Sequence, residues 1–229
     1  MSRKIAIVED EPAIRENYTA ALGRYGYDVQ GYESRGSALG AFRTRLPDLV
    51  IIDVGLGQEV EGGFDLCREL RATSATLPII FLTARDSDLD VISGLRLGAD
   101  DYLTKDISMQ HLLARVVTLF RRIEALRVPQ NQETVVTHGD LTLETERMRV
   151  TWKEAEVPLT VTEFWMVNAL VRFPGHVKTR EQLMDEGNVV VDMATITSHI
   201  KRIRKKFVAM DDEFDCIETV HGVGYRWRN

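Results

Sequence analysis

The stretch Leu49-Val50-Ile51-Ile52-Asp53-Val54-Gly55 decides the fold. Four consecutive apolar residues between turn-forming residues are typical of a strand that is buried on both faces of a parallel sheet. This pattern places Asp53 at the carboxyl end of the strand, which is the edge where open α/β sheets bind ligands. An aspartate is also common at strand ends because it suits turns. The rest of the chain has to decide between a ligand site and a turn.

Apolar runs of strand length alternate with helix-compatible segments from residue 4 to residue 122. Strands are predicted at 4–8, 27–32, 49–52, 78–83 and 101–104, and helices at 13–25, 37–46, 64–71, 86–97 and 109–122. This alternation predicts an α/β domain with a doubly wound parallel sheet.

Polar residues follow the carboxyl ends of four of these strands: Glu9, Asp10, Asp53, Thr83 and Lys105. Parallel strands end at one edge, so these side chains are expected to converge. Converging carboxylates repel each other unless a cation lies among them, and oxygen ligands suit Mg²⁺. An aspartate beside a metal, a lysine and a hydroxyl is a candidate phosphoryl acceptor, because the two cations neutralise charge on the transferred group.

A metal-dependent phosphatase that uses Asp53 as its nucleophile is an alternative reading of the same residues. Enzymes of that kind commonly carry a second acid two residues further on, where this chain has Gly55. The sequence therefore favours a phosphoacceptor that is not an enzyme.

Residues 1–122 resemble the flavodoxin-like (βα)5 receiver domain of two-component response regulators, and the matching set is Glu9-Asp10, Asp53, Thr83-Ala84, Tyr102 and Lys105. The resemblance implies that Asp53 receives phosphate from a sensor histidine kinase. It also implies a Mg²⁺ cofactor held by Asp10, Asp53 and the Gly55 carbonyl, with Glu9 acting through water.

The same resemblance implies a switch pair, in which the Thr83 hydroxyl moves to the phosphate and the Tyr102 ring turns inward behind it. Two features depart from the family. Asp106 stands where a cis proline normally follows the lysine, so the turn is expected to be either trans or strained, and its carboxylate competes for Lys105. The loop 54–63 is longer than usual, and its four glycines predict mobility.

Mixed charges lie on or beside the last two predicted helices of this half: Arg96, Asp100, Asp101, Arg115 and Arg122. Taken alone, such mixed charges are also typical of a helix face that is simply exposed to solvent. The resemblance implies instead a homodimer of receivers, with ion pairs across a face made by the fourth helix, fifth strand and fifth helix.

The polar stretch at 129–133 predicts a linker, assigned to residues 123–136, before a second domain at 137–229. There the sequence predicts short strands at 141–144, 147–152 and 157–159, helices at 162–172, 179–185 and 194–208, and a hairpin at 216–227. A helix pair followed by a hairpin is the order of a winged helix-turn-helix.

The helix at 194–208 has one apolar face, and residues 194–206 hold five basic side chains and no acidic one. In a chain of net charge −6, this concentration favours a helix that lies in the major groove of double-stranded DNA. A solvated basic helix is the alternative. The expected DNA-binding residues, including one in the hairpin turn, are Thr195, Ser198, His199, Lys201, Arg202, Arg204, Lys205 and His221.

Residues 137–229 resemble the winged-helix domain of OmpR/PhoB-type regulators, in stretches such as 159–164, 174–177, 180–183 and 220–227. The resemblance implies that Arg202 reads bases, that His199 and Arg204 touch phosphates, and that His221 enters the minor groove of promoter DNA. It also implies RNA polymerase as a partner, contacted by the loop 186–192. Segments 55–57, 105–108 and 188–192 are similar to regulators of proteobacterial dedicated sortase systems.

The sequence thus predicts a phosphorylation-controlled DNA-binding transcription regulator. The alternative is a DNA-binding regulator whose receiver dimerises independently of phosphate. The apolar runs are too short to span a bilayer, and no secretory signal is evident, so a cytoplasmic protein without a membrane partner is expected. Cys67 and Cys216 are expected to be reduced thiols.

Overall fold

The computed structural model describes residues 2–125, 135–186 and 193–228. It divides into two compact units, Met1–Ala114 and Arg115–Asn229. The sequence places the domain boundary at residue 122, whereas this division falls within a helix. None of the described helices has the length and apolar character needed to cross a membrane.

The first half alternates five strands with five helices: β1 (Lys4–Val8), α1 (Pro12–Arg24), β2 (Asp28–Tyr32), α2 (Arg35–Phe42), β3 (Leu49–Ile52), α3 (Gly62–Thr73), β4 (Ile79–Thr83), α4 (Asp88–Leu97), β5 (Asp101–Thr104) and α5 (Met109–Ala125). The strands form one sheet in the order β2-β1-β3-β4-β5, and every pairing is parallel. The predicted doubly wound sheet is confirmed. Residues of β3 and β4 are buried throughout, as expected of apolar strands inside a parallel sheet, and this includes Thr83 at the end of β4.

Helix boundaries differ from the prediction where capping outweighs apolar spacing. Helix α2 begins at Arg35 because Ser34 and Ser37 form a reciprocal capping box. It ends at Phe42 rather than at residue 46. Helix α4 begins after the capping residue Ser87 and ends at Gly98, whose φ of +117° suits a glycine.

The second half contains β6 (Val135–His138), β7 (Leu141–Glu144), β8 (Arg149–Trp152), β9 (Ala155–Glu156), α6 (Val161–Val171), β10 (Lys178–Thr179), α7 (Arg180–Glu186), α8 (Met193–Val208), β11 (Ile217–Val220) and β12 (Gly224–Trp227). One sheet has the order β6-β7-β8-β9 and another the order β10-β12-β11. Helices α6, α7 and α8 followed by the β11–β12 hairpin confirm the winged helix.

Three short strands differ from the sequence prediction. Strand β6 begins at Val135, within the predicted linker, and pairs with β7. Strand β9 lies at 155–156 instead of the predicted 157–159. Strand β10 was not predicted, because its two residues are ordered by pairing with the distant β12.

The core of this half is centred on aromatic rings. Trp152 of β8 packs edge-on against Phe207 of α8, at a centroid distance of 5.8 Å, and against Phe214, at 5.0 Å. Phe207 and Phe214 stack at 4.4 Å. Trp227 of β12 joins the cluster 6.1 Å from Phe207. These contacts fix the C-terminal end of α8 and the base of the hairpin to the β7–β8 sheet.

Candidate functional site

Three carboxylates converge at the carboxyl edge of the first sheet. Glu9 and Asp10 follow β1, and Asp53 follows β3, the neighbouring strand. One ligand oxygen from each lies within 4.8 Å of the other two. The backbone holds this geometry, because Asp53 donates its amide to the Val8 carbonyl at 2.9 Å and Glu9 donates to Tyr32 at 3.0 Å. The predicted convergence is present.

Lys105 bridges two of these carboxylates. Its Nζ lies 2.7 Å from Glu9 Oε2 and 2.6 Å from Asp53 Oδ2. Burial lowers the pKa of the Lys105 ammonium, but its hydrogen bonds to Asp53 and Glu9 outweigh that effect and raise it. Burial raises the pKa of Glu9, the charge of Asp53 adds to this, and Lys105 opposes it. With three carboxylates and one ammonium, the cluster has excess negative charge that a further cation would neutralise.

The residues present fit a hard divalent cation. All three side chains offer oxygen, which is the donor that Mg²⁺ prefers. Asp10 is exposed and Gly55 is half-exposed, and a Cβ on Gly55 would meet nothing within 4 Å. At Gly63 the chain leaves no space for a side chain, since a Cβ there would come within 2.0 Å of the Asp53 carbonyl oxygen. The cluster is therefore accessible to solvent at Asp10 and Gly55.

The loop after Asp53 is anchored, although its glycines predicted mobility. Leu56 and Glu59 pair across a tight turn in which Gly57 has a φ of +63°. Glu59 forms an ion pair with Arg35 at 2.8 Å. Arg85, from the segment after β4, donates to the Val60 carbonyl at 2.7 Å. Two arginines from different elements therefore fix the long loop.

Thr83 and Tyr102, the predicted switch pair, both contact the backbone of Arg85. The Thr83 hydroxyl accepts from the Arg85 amide at 3.4 Å, and the Tyr102 hydroxyl donates to the Arg85 carbonyl at 3.1 Å. The Tyr102 ring faces inward, where a Cβ on Gly94 of α4 would lie 2.7 Å from it. Burial, foremost, raises the pKa of Tyr102. The role of Thr83 and Tyr102 as a switch pair stays a prediction.

Asp106 does not compete for Lys105. No cis peptide bond occurs in the described residues, so the turn after Lys105 is trans. The Asp106 carboxylate accepts a hydrogen bond from the Thr104 hydroxyl, while Lys105 contacts Glu9 and Asp53. The expected competition is therefore wrong for this structure.

The predicted dimer face is only partly at the surface. Asp100 is buried in an ion pair with Arg71, at 3.0 Å, and also accepts from the Ile79 amide. Asp101 is buried and accepts from the Tyr102 amide. Asp100 is already paired within the subunit, so its predicted ion pair between subunits is wrong for this structure, whereas that of Asp101 stays a prediction. Arg96 is exposed and Arg115 half-buried, and the side chain of Arg122 lies outside the described residues.

Helix α8 separates its residues into two faces. The predicted apolar face is confirmed as part of the core, since its four residues are each at most 1% exposed: Ile196, Ile200, Ile203 and Phe207. Thr197, Lys201 and Lys205 are exposed, and Ser198 is half-buried. The spacing of four residues places the exposed three on one stripe. This stripe is the available polar face of the helix.

Arg202, His199 and Thr195 belong to the buried side, which corrects their predicted contacts with DNA. Arg202 is 8% exposed, and its guanidinium hydrogen-bonds the carboxylate of Glu163 in α6. His199 is fully buried, with Nδ1 2.9 Å from Arg202 Nη2. Thr195 is 5% exposed. Counting basic residues along the helix did not reveal that two of them, Arg202 and Lys206, pair with a buried acid.

Glu163 is the centre of this buried cluster. It accepts from Lys206 Nζ at 2.6 Å and from the Thr160 amide at 2.7 Å, in addition to Arg202. Burial raises the pKa of Glu163, but the charges of Arg202 and Lys206 outweigh it and lower the pKa to about 2. The cluster joins the start of α6 to the middle of α8.

Arg204, predicted to touch phosphate, instead connects α8 to the hairpin. It donates to the Ile217 carbonyl at 3.0 and 2.8 Å and to the Thr219 hydroxyl at 2.8 Å. Its guanidinium also lies 5.7 Å from the centroid of the Tyr225 ring. His221 is exposed in the hairpin turn, beside Gly222 with a φ of +75°. This placement agrees with a wing tip.

The sequence analysis did not include three residues among the expected DNA-binding residues, namely Thr197, Lys178 and Arg180. The Thr197 hydroxyl lies 3.3 Å from that of Tyr225, and the Arg180 guanidinium lies 5.6 Å from the Tyr225 ring. Lys178 of β10 pairs with Tyr225 of β12. The signal was available, because residues 172–180 contain three basic residues and no acidic one.

Tyr18 was also missed near the carboxylates. Burial raises the pKa of Tyr18, Lys105 opposes the shift, and the charges of Glu9 and Asp53 add to it. The phenol is therefore within electrostatic reach of the cluster.

A parallel sheet with this carboxylate cluster, followed by a winged helix, defines a two-component response regulator with a receiver and a DNA-binding domain. Residues 5–117 match the response regulator receiver domain family, and residues 154–227 match the family described as transcriptional regulatory protein, C terminal.

The chain is 36% identical to the transcriptional regulatory protein CreB of Escherichia coli K12, over 97% of this chain and 96% of the relative. It is 38% identical to the phosphate regulon transcriptional regulatory protein PhoB of Rhizobium meliloti, over 98% of both. A solved structure of a RitR mutant has the same fold, with a TM-score of 0.77 and 23% identity over all of both chains. The chain belongs to the OmpR/PhoB family of response regulators.

Proposed function

We propose that Asp53 receives a phosphoryl group from a sensor histidine kinase, and that this modification controls receiver dimerisation and binding of promoter DNA. The observation that carries the proposal is the placement of Lys105 between Asp53 and Glu9. A lysine bound to the acceptor carboxylate is placed to neutralise charge on an incoming phosphoryl group.

Mg²⁺ would be held by Asp10, Asp53 and the Gly55 carbonyl, with Glu9 acting through water, and would supply the remaining positive charge. The half-exposed side at Gly55 leaves room for a phosphodonor. Thr83, next to the cluster, has a hydroxyl suited to hydrogen-bond a phosphoryl oxygen. The Thr83 hydroxyl accepts a hydrogen bond from the Arg85 amide, and the Arg85 carbonyl accepts one from Tyr102. These two contacts support a coupling between movement of Thr83 toward the phosphoryl group and movement of Tyr102.

The test is intact-mass measurement after incubation with Mg²⁺ and acetyl phosphate. The parent protein is expected to gain the mass of one phosphoryl group, and Asp53→Asn is expected to gain none. Lys105→Met is expected to be phosphorylated far more slowly. No gain on the parent, or an equal gain on Asp53→Asn, rejects the Asp53 mechanism and favours a receiver that dimerises independently of phosphate.

Receiver dimerisation has support from exposed apolar residues on the proposed face. Leu89 of α4 is 77% exposed and Val117 of α5 is 46% exposed. Burying them between two receivers removes apolar surface from water. Light scattering before and after phosphorylation tests this proposal, and Leu89→Ser is expected to weaken the phosphorylated dimer. Equal masses with and without phosphorylation would reject phosphate-controlled dimerisation.

The DNA-binding surface is proposed to consist of the exposed stripe of α8 together with the wing. Thr197, Ser198 and Lys201 are accessible to solvent, as side chains of a recognition helix have to be to reach base edges. Lys205 and His221 extend the surface toward phosphates and the minor groove. Binding of two linked effector domains to two half-sites would gain affinity from effective concentration.

An operator selected from random DNA allows a direct test. Lys201→Ala is expected to lose specific binding, whereas Arg147→Ala, an equal change of charge at an exposed site, is expected to keep it. Retained specificity in Lys201→Ala would reject that residue as a base reader. Contact with RNA polymerase stays a prediction, because residues 187–192 of the proposed loop lie outside the described residues.

A further inference from the structure

Arg15 of α1 contacts the backbone that carries two of the three clustered carboxylates. Its Nη1 donates to the Glu9 carbonyl at 2.7 Å and to the Asp10 carbonyl at 3.1 Å. The Arg15 amide also donates to the Glu11 carbonyl at 3.0 Å. One side chain thus holds two consecutive peptide groups of the loop between β1 and α1.

Room for Arg15 comes from a glycine on the neighbouring strand. Gly31 of β2 lies opposite Ile7 of β1. A Cβ on Gly31 would lie 2.9 Å from Cγ of Arg15 and 3.0 Å from its Cδ. Glycine inside a strand weakens the strand and commonly marks a close approach by another group. Here the approaching group is the aliphatic part of the Arg15 side chain.

We propose that Arg15 is a positioning residue for the divalent cation site, and that Gly31 is required because it leaves space for Arg15. This inference rests on the proposed function, since it concerns the same site. Fixing the two carbonyls restricts rotation of the Glu9–Asp10 and Asp10–Glu11 peptide groups. That restriction orients the Glu9 and Asp10 carboxylates toward Asp53 before a cation arrives.

A preorganised site binds a cation more tightly because less ordering is left to be done on binding. Groups that orient metal ligands typically contribute about 10- to 100-fold in metal affinity. The rival explanation is that Arg15 only supports the first turn of α1. That role would change the melting temperature of the protein without a selective change in cation affinity.

The experiment measures the dissociation constant of Mg²⁺ for the full-length protein by calorimetry, together with the melting temperature without Mg²⁺. Arg15→Ala is expected to bind Mg²⁺ about tenfold more weakly. Arg15→Lys is expected to recover part of the loss, because an ammonium can reach one carbonyl. Arg24→Ala is the matched control on the same helix, since Arg24 is exposed, and is expected to bind like the parent.

Gly31→Val approaches the same contact from the opposite side. It is expected to weaken Mg²⁺ binding in the parent and to have no further effect in Arg15→Ala, since the group that it displaces is then gone. Unchanged Mg²⁺ affinity in Arg15→Ala, or additive losses in the double variant, would overturn the positioning role while leaving the phosphorylation proposal standing. Absence of Mg²⁺ binding by the parent would overturn both.

Discussion

The two halves of the molecule each contain a cluster of carboxylates and basic groups, and the two clusters differ in exposure and in charge balance. In the receiver, the Lys105 ammonium pairs with Glu9 and Asp53, two of the three clustered carboxylates, and the third, Asp10, is open to solvent. In the effector domain, Glu163 is fully buried and is bound by both Arg202 and Lys206. The first cluster has excess negative charge, whereas the second is closed and compensated.

This difference separates the proposed cation site from an interaction that maintains the fold. Excess negative charge at an accessible position can be relieved by a cation that comes and goes. A compensated charge buried between two helices has no such role and resists disruption, because removing one partner strands the other. Removing a carboxylate is therefore expected to have different effects on stability in the two clusters. A matched pair of acid-to-amide substitutions can test this.

The largest effect is expected from Glu163→Gln. Loss of this carboxylate leaves the Arg202 guanidinium buried without its compensating charge, and breaking a buried ion pair typically costs about 3–5 kcal/mol. The matched change Asp53→Asn removes a charge from the cluster with excess negative charge and is expected to alter stability by less than about 1 kcal/mol. Urea unfolding of each variant checks both values. Similar losses in the two variants would break the comparison.

The next largest effect is expected in the pH dependence of the free energy of unfolding that Glu163 contributes. The pKa of this carboxyl is lowered from 4.5 to about 2 in the folded protein, so the folded state favours the ionised form. The stabilisation is complete above pH 4.5 and is lost as the pH falls toward 2. The stability difference between the parent and Glu163→Gln should therefore shrink across this interval. A difference that is constant between pH 6 and pH 3 would contradict the assigned charge state.

The sequence predicted the receiver site more completely than the DNA-binding face, for a physical reason. In a parallel sheet, the carboxyl ends of neighbouring strands have to meet at one edge, so the order of Glu9, Asp53 and Lys105 was sufficient to bring them together. The backbone topology fixes such a site. Details such as the anchoring of the 54–63 loop depend on Arg35 and Arg85, which lie outside the motif.

On α8, the period of the helix gave the apolar face but not the role of each basic residue. Arg202 and Lys201 are neighbours in sequence, and only the tertiary position of Glu163 directs one inward and leaves the other exposed. Asp100 was misassigned for the same reason, because its partner Arg71 lies in a different helix. Both of these failures arose because the charge is paired with a residue that is distant in the sequence.

A smaller effect distinguishes the two clusters by their response to Mg²⁺. A ligand that binds only the folded state raises its stability by RT ln(1 + [L]/Kd), which is about 2.7 kcal/mol at 100 times Kd. Saturating Mg²⁺ is expected to raise the melting temperature of the parent and of Glu163→Gln by similar amounts. Asp53→Asn is expected to lose most of the increase. An equal increase in all three proteins would indicate non-specific binding outside the carboxylate cluster.

The smallest effect is expected at Lys205, an exposed basic residue on the same helix as the buried Arg202. Lys205→Ala is expected to leave the free energy of unfolding within about 0.5 kcal/mol of the parent. It should reduce the slope of log K against log salt concentration for DNA binding by about one, the loss of one phosphate contact. Arg202→Ala is expected to lower the free energy of unfolding of the protein without DNA, because it removes the buried partner of Glu163. If Lys205→Ala destabilised the fold, or Arg202→Ala changed only the salt slope, the inward and outward faces of α8 would have been assigned the wrong way round.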